Sequence, residues 1–107
     1  VMTYNLPAAA AEIAEVGAAL GLSRQIGDDA DALAHATIRE VRRLFGAIGI
    51  TPTLAELGLP EDKIDWTAEQ ALGIDRLIKN NPRPFDLAQM RRLVRGAYDG
   101  DMSATMM

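Results

Sequence analysis

One long amphipathic pattern constrains the fold of this chain more than any other feature. Small and apolar side chains recur at spacings of three and four residues over 33–48, at Leu33, Ala34, Thr37, Ile38, Val41, Leu44, Phe45 and Ile48. This spacing places them in one stripe along a helix and predicts that the stripe is buried. Asp28 or Asp29 can cap the start of this helix, and Gly49 can end it.

The composition predicts the class of fold. Hydrophobic residues make up 49% of the chain and many of them are alanine, whereas aromatic residues make up only 5%. Alanine favours closely packed helices, and sheets depend on β-branched and aromatic residues. At 107 residues the chain fits one domain with a thin core. We therefore expect an all-α fold, a compact helical bundle of about four main helices plus short turns, with a single helical domain over residues 1–101 and a flexible tail over residues 102–107.

Proline and glycine set the bounds predicted for the first helix. Pro7 suits a first helical turn, so the helix is predicted to begin there and to end before Gly21. Residues 23–27 are predicted to form a loop. One helix face has only small residues, which would let a second helix approach closely: Ala10, Ala14, Gly17 and Ala18.

The middle of the chain contains turn signals. Thr53 and Glu56 have the spacing of a capping box, which predicts a short turn with Leu54 and Leu57 on the core side. Pro60 starts a second short turn. Asp65 is predicted to cap the next helix. The apolar positions of that helix are Trp66, Ala68, Ala71 and Leu72, with Ile74, Leu77 and Ile78 as possible extensions.

Two prolines interrupt the last third of the chain. Pro82 and Pro84 remove two amide donors and force extended backbone before them, so residues 79–84 are predicted to be a non-helical loop. Asp86 is predicted to cap the last helix. That helix has one apolar face, formed by Leu87, Met90, Leu93, Val94 and Ala97.

The charge balance excludes several classes of partner. The formal net charge is -4 and the pI is near 4.8, which argues against nucleic acid and anionic membrane surfaces as partners. No apolar run approaches the roughly 18 residues that a membrane span requires. The chain has no cysteine and its first residues lack a secretory signal pattern, so a soluble cytoplasmic protein is the default expectation.

The sequence contains no complete active site. A histidine-based metal site needs two or three imidazoles, and His35 is the only histidine, so it is assigned no metal role. The densest acidic group, Asp28, Asp29 and Asp31, is better explained by helix capping than by acid–base chemistry. No phosphate-binding glycine pattern is present, and the serines have no nearby base. We assign no catalytic, cofactor-binding or metal-binding residue to this chain.

The loop Asn80-Asn81-Pro82-Arg83-Pro84 leaves two interpretations open. Asn81 and Arg83 on a rigid loop could meet a phosphate or carboxylate. Alternatively, Asn81 bonds the backbone across the turn, and Arg83 binds helix carbonyls or a carboxylate such as Asp75. The structural interpretation is favoured, since most polar loop side chains satisfy backbone groups.

Several segments, taken in order, resemble a known family. The chain opens with Val1-Met2-Thr3-Tyr4-Asn5-Leu6-Pro7-Ala8, continues with Ile48-Gly49-Ile50-Thr51-Pro52-Thr53-Leu54-Ala55-Glu56-Leu57-Gly58, and then has the asparagine-proline-arginine loop and a closing helix. This order resembles the C-terminal segment of the iron-containing (group III) alcohol dehydrogenases, which include the maleylacetate reductase-like enzymes. Many members carry a cysteine six residues before the loop arginine, where this chain has Leu77.

The resemblance implies part of a larger enzyme. Family members are NAD(P)-dependent dehydrogenases with an N-terminal nucleotide-binding domain and a C-terminal helical domain that holds Fe²⁺ or Zn²⁺ through one aspartate and three histidines. Those four ligands lie upstream of the segment matched by Val1. The expected function is therefore that of a C-terminal helical fragment, a scaffold and cleft wall that is inactive alone. In a full-length parent, Lys79, Asn81 and Arg83 could line the cleft, with Lys79 near an acidic substrate or a cofactor phosphate.

Two other functions remain open. The chain could be a small helical protein-interaction or homo-oligomerisation module, because a helix that lacks its neighbours exposes apolar surface. A metal-binding regulator that uses His35 and acidic residues is the weakest alternative. The expected partners are the upstream part of the dehydrogenase or a second copy of the chain.

Overall fold

The fold is all-α, as the composition predicts. A computed structural model describes residues 1–27, 29–50, 52–101 and 103, and no strand occurs among them. Four main helices and two short ones follow in the order α1 (Met2–Ala19), α2 (Ser23–Ile26), α3 (Ala30–Ala47), α4 (Ile64–Leu72), α5 (Asp75–Ile78) and α6 (Leu87–Asp99). A 3₁₀ turn, Glu61–Lys63, precedes α4.

The first two main helices pack as a pair. The N-terminal pair, α1 with α3, buries a cluster composed of Leu6, Ala9, Ile13, Ala14, Leu33, Ala34 and Ile38. The closest approach is at Gly17, where a Cβ atom would overlap Oγ1 of the fully buried Thr37. Of the small face predicted for α1, Ala14 and Gly17 are buried and Ala10 packs against the cluster, whereas Ala18 is exposed.

The last two main helices form a second pair. The C-terminal pair, α4 with α6, buries Ile64 and Ala68 against Met90 and Val94. Shorter segments cover this cluster from the sides with half-buried apolar side chains, among them Leu54, Leu59, Ile78 and Phe85. The molecule measures 44 × 29 × 23 Å. The described residues therefore form two apolar clusters, one in each pair.

Two predicted bounds near the start of the chain are wrong. Helix α1 begins at Met2, so Pro7 lies inside it, and the backbone leaves helical geometry at Ala9 (φ -138°, ψ 24°). Proline cannot donate to the carbonyl four residues earlier, and here the helix bends rather than starts. The loop predicted over residues 23–27 contains the short helix α2, which ends at Gly27 in a positive-φ conformation (φ 90°).

The stripe on α3 is buried over only half its length. The cluster shared with α1 includes α3 residues as far as Ile38, whereas Phe45 is 49% exposed and Ile48 is 72% exposed. Sequence periodicity reports that a helix has an apolar face, but it does not report how far the packed neighbour extends. The second half of α3 therefore has apolar side chains without a described neighbour over them.

Three further predictions in the middle of the chain are corrected. Asp65 lies in the first turn of α4 and Lys63 is at the cap position, so Asp65 is not the cap. Leu57 is 65% exposed, because the short turn sends only Leu54 toward the second cluster, and Trp66 on α4 is also exposed. Helix α4 ends before Gly73, and its predicted extension forms the separate helix α5.

Other helix signals are confirmed. Asp29 caps α3 by accepting from the Asp31 N–H at 3.1 Å. Asp86 caps α6 in a capping box with Gln89, and residues 79–84 are non-helical.

Asp28, Thr51 and all of the predicted tail except Ser103 lie outside the described residues. None of the helices in the described part combines the length and the apolar character that a bilayer crossing requires.

Candidate functional site

The loop singled out in the sequence contacts the beginning of α1. The side-chain amides of Asn5 and Asn81 form a reciprocal pair, in which each Nδ2 donates to the other Oδ1, at 2.9 Å from Asn5 and 2.7 Å from Asn81. The Asn81 Nδ2 also donates to the Arg83 carbonyl at 2.6 Å. Asn5 is buried, and paired amides are what such a position requires to avoid an uncompensated polar group.

Arg83 completes the contact from the other side of the loop. Its Nη1 donates to the Tyr4 carbonyl at 2.8 Å, and its guanidinium carbon lies 4.1 Å from the centroid of the Tyr4 ring. The Phe85 ring stacks on Tyr4 with centroids 4.1 Å apart and planes 10° apart. Since two flat groups cannot occupy one ring face this closely, Tyr4 is held between Arg83 and Phe85. The Tyr4 hydroxyl donates to the Pro84 carbonyl.

We call this set of residues, Tyr4, Asn5, Asn81, Arg83, Pro84 and Phe85, the loop joint. It connects the N-terminal pair to the segment that precedes α6, and its hydrogen bonds join residues 76 to 80 positions apart in the 107-residue chain. Both structural contacts considered for the loop are present, because Asn81 bonds the backbone across the turn and Arg83 binds a helix carbonyl. Arg83 contacts the Tyr4 carbonyl rather than Asp75. The Asn81 amide and the Arg83 Nη1 are thus engaged within the chain.

Lys79 lies apart from these contacts. It is exposed, and its backbone N–H donates to the Asp75 carbonyl at 3.0 Å. The structure brings Asn81 and Arg83 together but gives Lys79 no part in the joint. That the three residues line a cleft in a longer enzyme stays a prediction.

The lone histidine has a local role. His35 Nδ1 lies 2.8 Å from the Asp31 carbonyl one turn earlier in α3, and its side chain is partly exposed. Among residues 1–27, 29–50, 52–101 and 103, no group of three or more histidine, cysteine, aspartate or glutamate side chains is placed to hold a metal ion. These residues do not fit a catalytic metal.

A charged concavity of about 360 Å³ lies between the 3₁₀ turn, α4 and α6. Arg95 pairs with Glu61 at 3.0 Å and with Asp99 at 3.1 Å, and Arg91 lies 3.6 Å from both Asp65 and Glu69. The hydrogen bond from Arg95 to Glu61, with the nearby Asp99 charge, raises the pKa of Arg95. Opposite charges compensate one another here, and exposed pairs of this kind contribute little stability.

A larger concavity is apolar. We call it the apolar groove; it has a volume of about 730 Å³ and is bordered by the start of α1, the second half of α3 and the end of α6. Its aliphatic and aromatic lining includes Met2, Ile38, Val41, Phe45, Ile50, Leu93 and Ala97. Arg42 and Asp101 are its charged lining residues, and Arg42 donates to the Gly100 carbonyl at 3.3 Å. The groove includes Val41 and Phe45 from the second half of α3, whereas Leu44 and Ile48 lie outside its lining.

Sequence reasoning alone did not identify Tyr4, Asn5 and Phe85 as the partners of the loop. Each is an ordinary residue in its own segment, and the hydrogen bonds that Tyr4 and Asn5 make with the loop join positions 76 to 80 residues apart. One signal was available, since Tyr4 and Asn5 belong to the opening segment of the family resemblance and Phe85 follows its proline-rich loop. Two segments that recur together in one family are candidates for contact.

Comparison with known proteins identifies the family. A family model described as the Fe-containing alcohol dehydrogenase family, C-terminal, matches residues 1–98. The chain belongs to the iron-containing alcohol dehydrogenase family. It is 26% identical over 100 residues to long-chain-alcohol dehydrogenase 1 of Geobacillus thermodenitrificans (strain NG80-2), a match that covers 94% of this chain and 25% of that protein. The chain thus spans about a quarter of the length of this curated relative. No solved structure matches it.

In this member of the iron-containing alcohol dehydrogenase family, two of the segments that carry the resemblance have a visible structural use. The opening segment provides Tyr4 and Asn5, and the proline-rich loop provides Asn81 and Arg83. These residues connect the two helical pairs. The loop joint is therefore a feature of how the C-terminal region is assembled.

Proposed function

We propose that this chain forms the C-terminal helical part of a metal-dependent, NAD(P)-linked alcohol dehydrogenase that acts on an alcohol or aldehyde. The family match over residues 1–98 carries the proposal. The relative from Geobacillus supports it, since the matched region is a quarter of an enzyme named for alcohol dehydrogenation. We further propose that the enzyme works in the cytoplasm.

The role proposed for these helices is that of a scaffold and cleft wall. In the full enzyme, Fe²⁺ or Zn²⁺ would polarise the oxygen of the alcohol or carbonyl, and the nicotinamide would accept or donate hydride. The present residues would act by position. The loop joint fixes the approach of the segment before α6 to α1, and the two helical pairs provide a rigid support for the upstream ligands.

We also propose that the chain does not catalyse dehydrogenation by itself. With one imidazole and no thiol, it cannot supply the aspartate and three histidines that the family resemblance implies. An alcohol-binding cleft would be completed by the upstream domain.

An activity assay tests both statements. The purified 107-residue chain is incubated with ethanol or 1-octanol, Fe²⁺ or Zn²⁺, and NAD⁺ or NADP⁺, and formation of the reduced nicotinamide is followed by absorbance. No alcohol-dependent reduction is expected. A fusion in which the upstream part of the Geobacillus enzyme precedes Val1 is expected to reduce the cofactor. Turnover by the 107-residue chain would contradict the division of labour, and a folded fusion without turnover would count against the scaffold role.

The apolar groove favours one alternative, a homo-oligomerisation module. Phe45 and Ile50 are each nearly half exposed within the groove, and contiguous apolar surface of this kind is commonly covered by association. Light scattering of the 107-residue chain at several concentrations distinguishes the two functions. A stable dimer in which the groove is covered would favour the module, and a monomer at all concentrations would exclude it.

A further inference from the structure

We propose that the apolar groove is the docking surface for the polypeptide segment that precedes residue 1 in the longer dehydrogenase, and that this segment presents one apolar helix face to it. The inference rests on the proposed function. It adds the surface through which this part of the chain contacts the rest of the enzyme.

The lining of the groove determines the chemistry of its occupant. Aliphatic and aromatic side chains dominate it, and its charged lining residues, Arg42 and Asp101, have opposite signs. An anionic ligand would gain no net attraction there. A helix with apolar residues at three-and-four spacing fits a groove between helices, because it buries its own stripe while it covers Val41 and Phe45 of the stripe on α3.

The position of the groove brings the segment before residue 1 within reach of it. Val1, Met2 and Thr3 are themselves lining residues, so polypeptide joined to residue 1 emerges at the groove. About three quarters of the Geobacillus relative lies outside the matched region, which provides ample chain for such a segment. A tethered segment also has a high effective concentration at a nearby surface, and therefore binds without needing high intrinsic affinity.

The other concave features of the described residues are less suited to this contact. The charges of the charged concavity are compensated by its own ion pairs. In the loop joint, the Asn5 and Asn81 amides bond each other and Arg83 Nη1 bonds the Tyr4 carbonyl. A second copy is also a poorer occupant. A two-fold contact brings the same patch of both copies together, and Phe45 and Ile50 lie within the concave face itself. Two concave faces in opposition would leave space between them.

The absence of cysteine allows a direct test by alkylation. The variants Phe45→Cys and Ile50→Cys each place one thiol in the groove, and Leu57→Cys places one at an exposed apolar position that does not line it. Rates of reaction with iodoacetamide are measured in the 107-residue chain and in the fusion with the upstream part of the Geobacillus enzyme. We expect both groove thiols to react about tenfold more slowly in the fusion, because reaction then requires local opening of the contact. The Leu57→Cys rate should change less than twofold.

Each result decides the proposal. Equal alkylation rates at the groove positions in both chains would overturn it. Alkylation of the 107-residue chain that slows as the protein concentration rises would also overturn it, because it would indicate that a second copy covers the groove. If circular dichroism shows that the fusion does not fold, the upstream part is added as a separate polypeptide and the same alkylation rates decide.

Alcohol oxidation by the unsubstituted fusion is measured independently. Slow alkylation without alcohol oxidation supports the docking surface and counts against the proposed dehydrogenase function. Alcohol oxidation with unchanged alkylation supports the dehydrogenase function and overturns the docking surface.

Discussion

The two helical pairs bury their apolar clusters in different ways. In the N-terminal pair, small residues let α1 and α3 approach closely at Gly17 and Thr37, but the second half of α3 extends beyond the shared cluster. In the C-terminal pair, the helices are shorter and bulkier side chains such as Met90 fill the cluster, which loops cover from several sides. One pair is tight and partly uncovered, and the other is enclosed by its own connecting segments.

The difference lies in how much apolar surface each pair leaves exposed. Connecting segments cover the cluster of the C-terminal pair, whereas the apolar stripe on α3 continues past its packed neighbour, with Phe45 49% and Ile48 72% exposed. The loop joint lies between these cases, since it ties the start of the tight pair to the segment before α6. Substitutions at the joint, in each pair and on the outer surface should therefore have separable effects.

The largest effect is expected at the joint. Tyr4→Ala removes a ring that is 1% exposed and held between Arg83 and Phe85, and it should lower the free energy of unfolding by about 3–5 kcal/mol. Tyr4→Phe keeps the ring and loses only the hydroxyl bond to the Pro84 carbonyl, at a cost of about 1 kcal/mol. Urea unfolding followed by circular dichroism measures both. Equal effects of the two variants would show that the ring contacts contribute little.

Gly17→Ala tests the tight packing of the N-terminal pair. The added methyl group overlaps Thr37 Oγ1, so a loss of about 1–3 kcal/mol in the free energy of unfolding is expected. Gly46→Ala is the matched control, because Gly46 lies in α3 with no heavy atom near the position of a Cβ. That change should stabilise the chain by up to about 1 kcal/mol through helix propensity. A stabilising Gly17→Ala would mean that α1 and α3 do not approach this closely.

Asp86→Ala tests the C-terminal pair. It removes the carboxylate that accepts from the Gln89 N–H at 2.7 Å and breaks the capping box, with an expected cost of about 0.5–2 kcal/mol. Hydrogen exchange should become faster in the first turn of α6 and remain unchanged in the first turn of α3. Asp29→Ala, which removes the cap of α3, should give the opposite distribution. Faster exchange in both helices from either variant would indicate that the pairs do not respond separately.

The smallest effect is expected on the outer surface of α3. Arg43 donates to both carboxylate oxygens of Glu40, at 2.9 and 2.6 Å, and this hydrogen bonding lowers the pKa of Glu40. Because the pKa is lower in the folded state, the interaction stabilises the fold above the ordinary glutamate pKa and is lost as the pH falls through the folded value. Arg43→Gln should raise the pKa of Glu40, measured by NMR titration of the carboxyl carbon. An unchanged pKa would contradict the pair.

The sequence predicted local features well where one segment contains the whole signal. The caps at Asp29 and Asp86 are decided by a carboxylate and the amides within three residues of it, and the two prolines alone exclude a helix between them. Pro7 misled the prediction because the same residue fits a helix start and a bend, and only the packing of Tyr4 and Leu6 shows that helix precedes it. The burial of Phe45 and Ile48 was overestimated for a different reason, since periodicity does not report how far the neighbouring helix extends along α3.

The loop joint illustrates what sequence alone lacked. The pattern favoured a structural use for Asn81 and Arg83, but it could not name Tyr4 as the partner, since a contact between residues 79 positions apart has no local signature. The family resemblance contained the missing information in a different form. It placed both segments in one motif order without stating that they touch.

The loop joint has a consequence for solution behaviour. Its side chains include no carboxylate and no imidazole, and its single cation, Arg83, bonds a carbonyl oxygen and an aromatic ring rather than an acidic partner. Concentrated salt screens the exposed pairs of Arg43, Arg91 and Arg95, because the Debye length falls to about 3 Å at 1 M ionic strength. The amide pair and the stacked ring have no comparable charge attraction to lose. At high salt concentration, the loop joint should therefore persist while the exposed ion pairs on the surface are weakened.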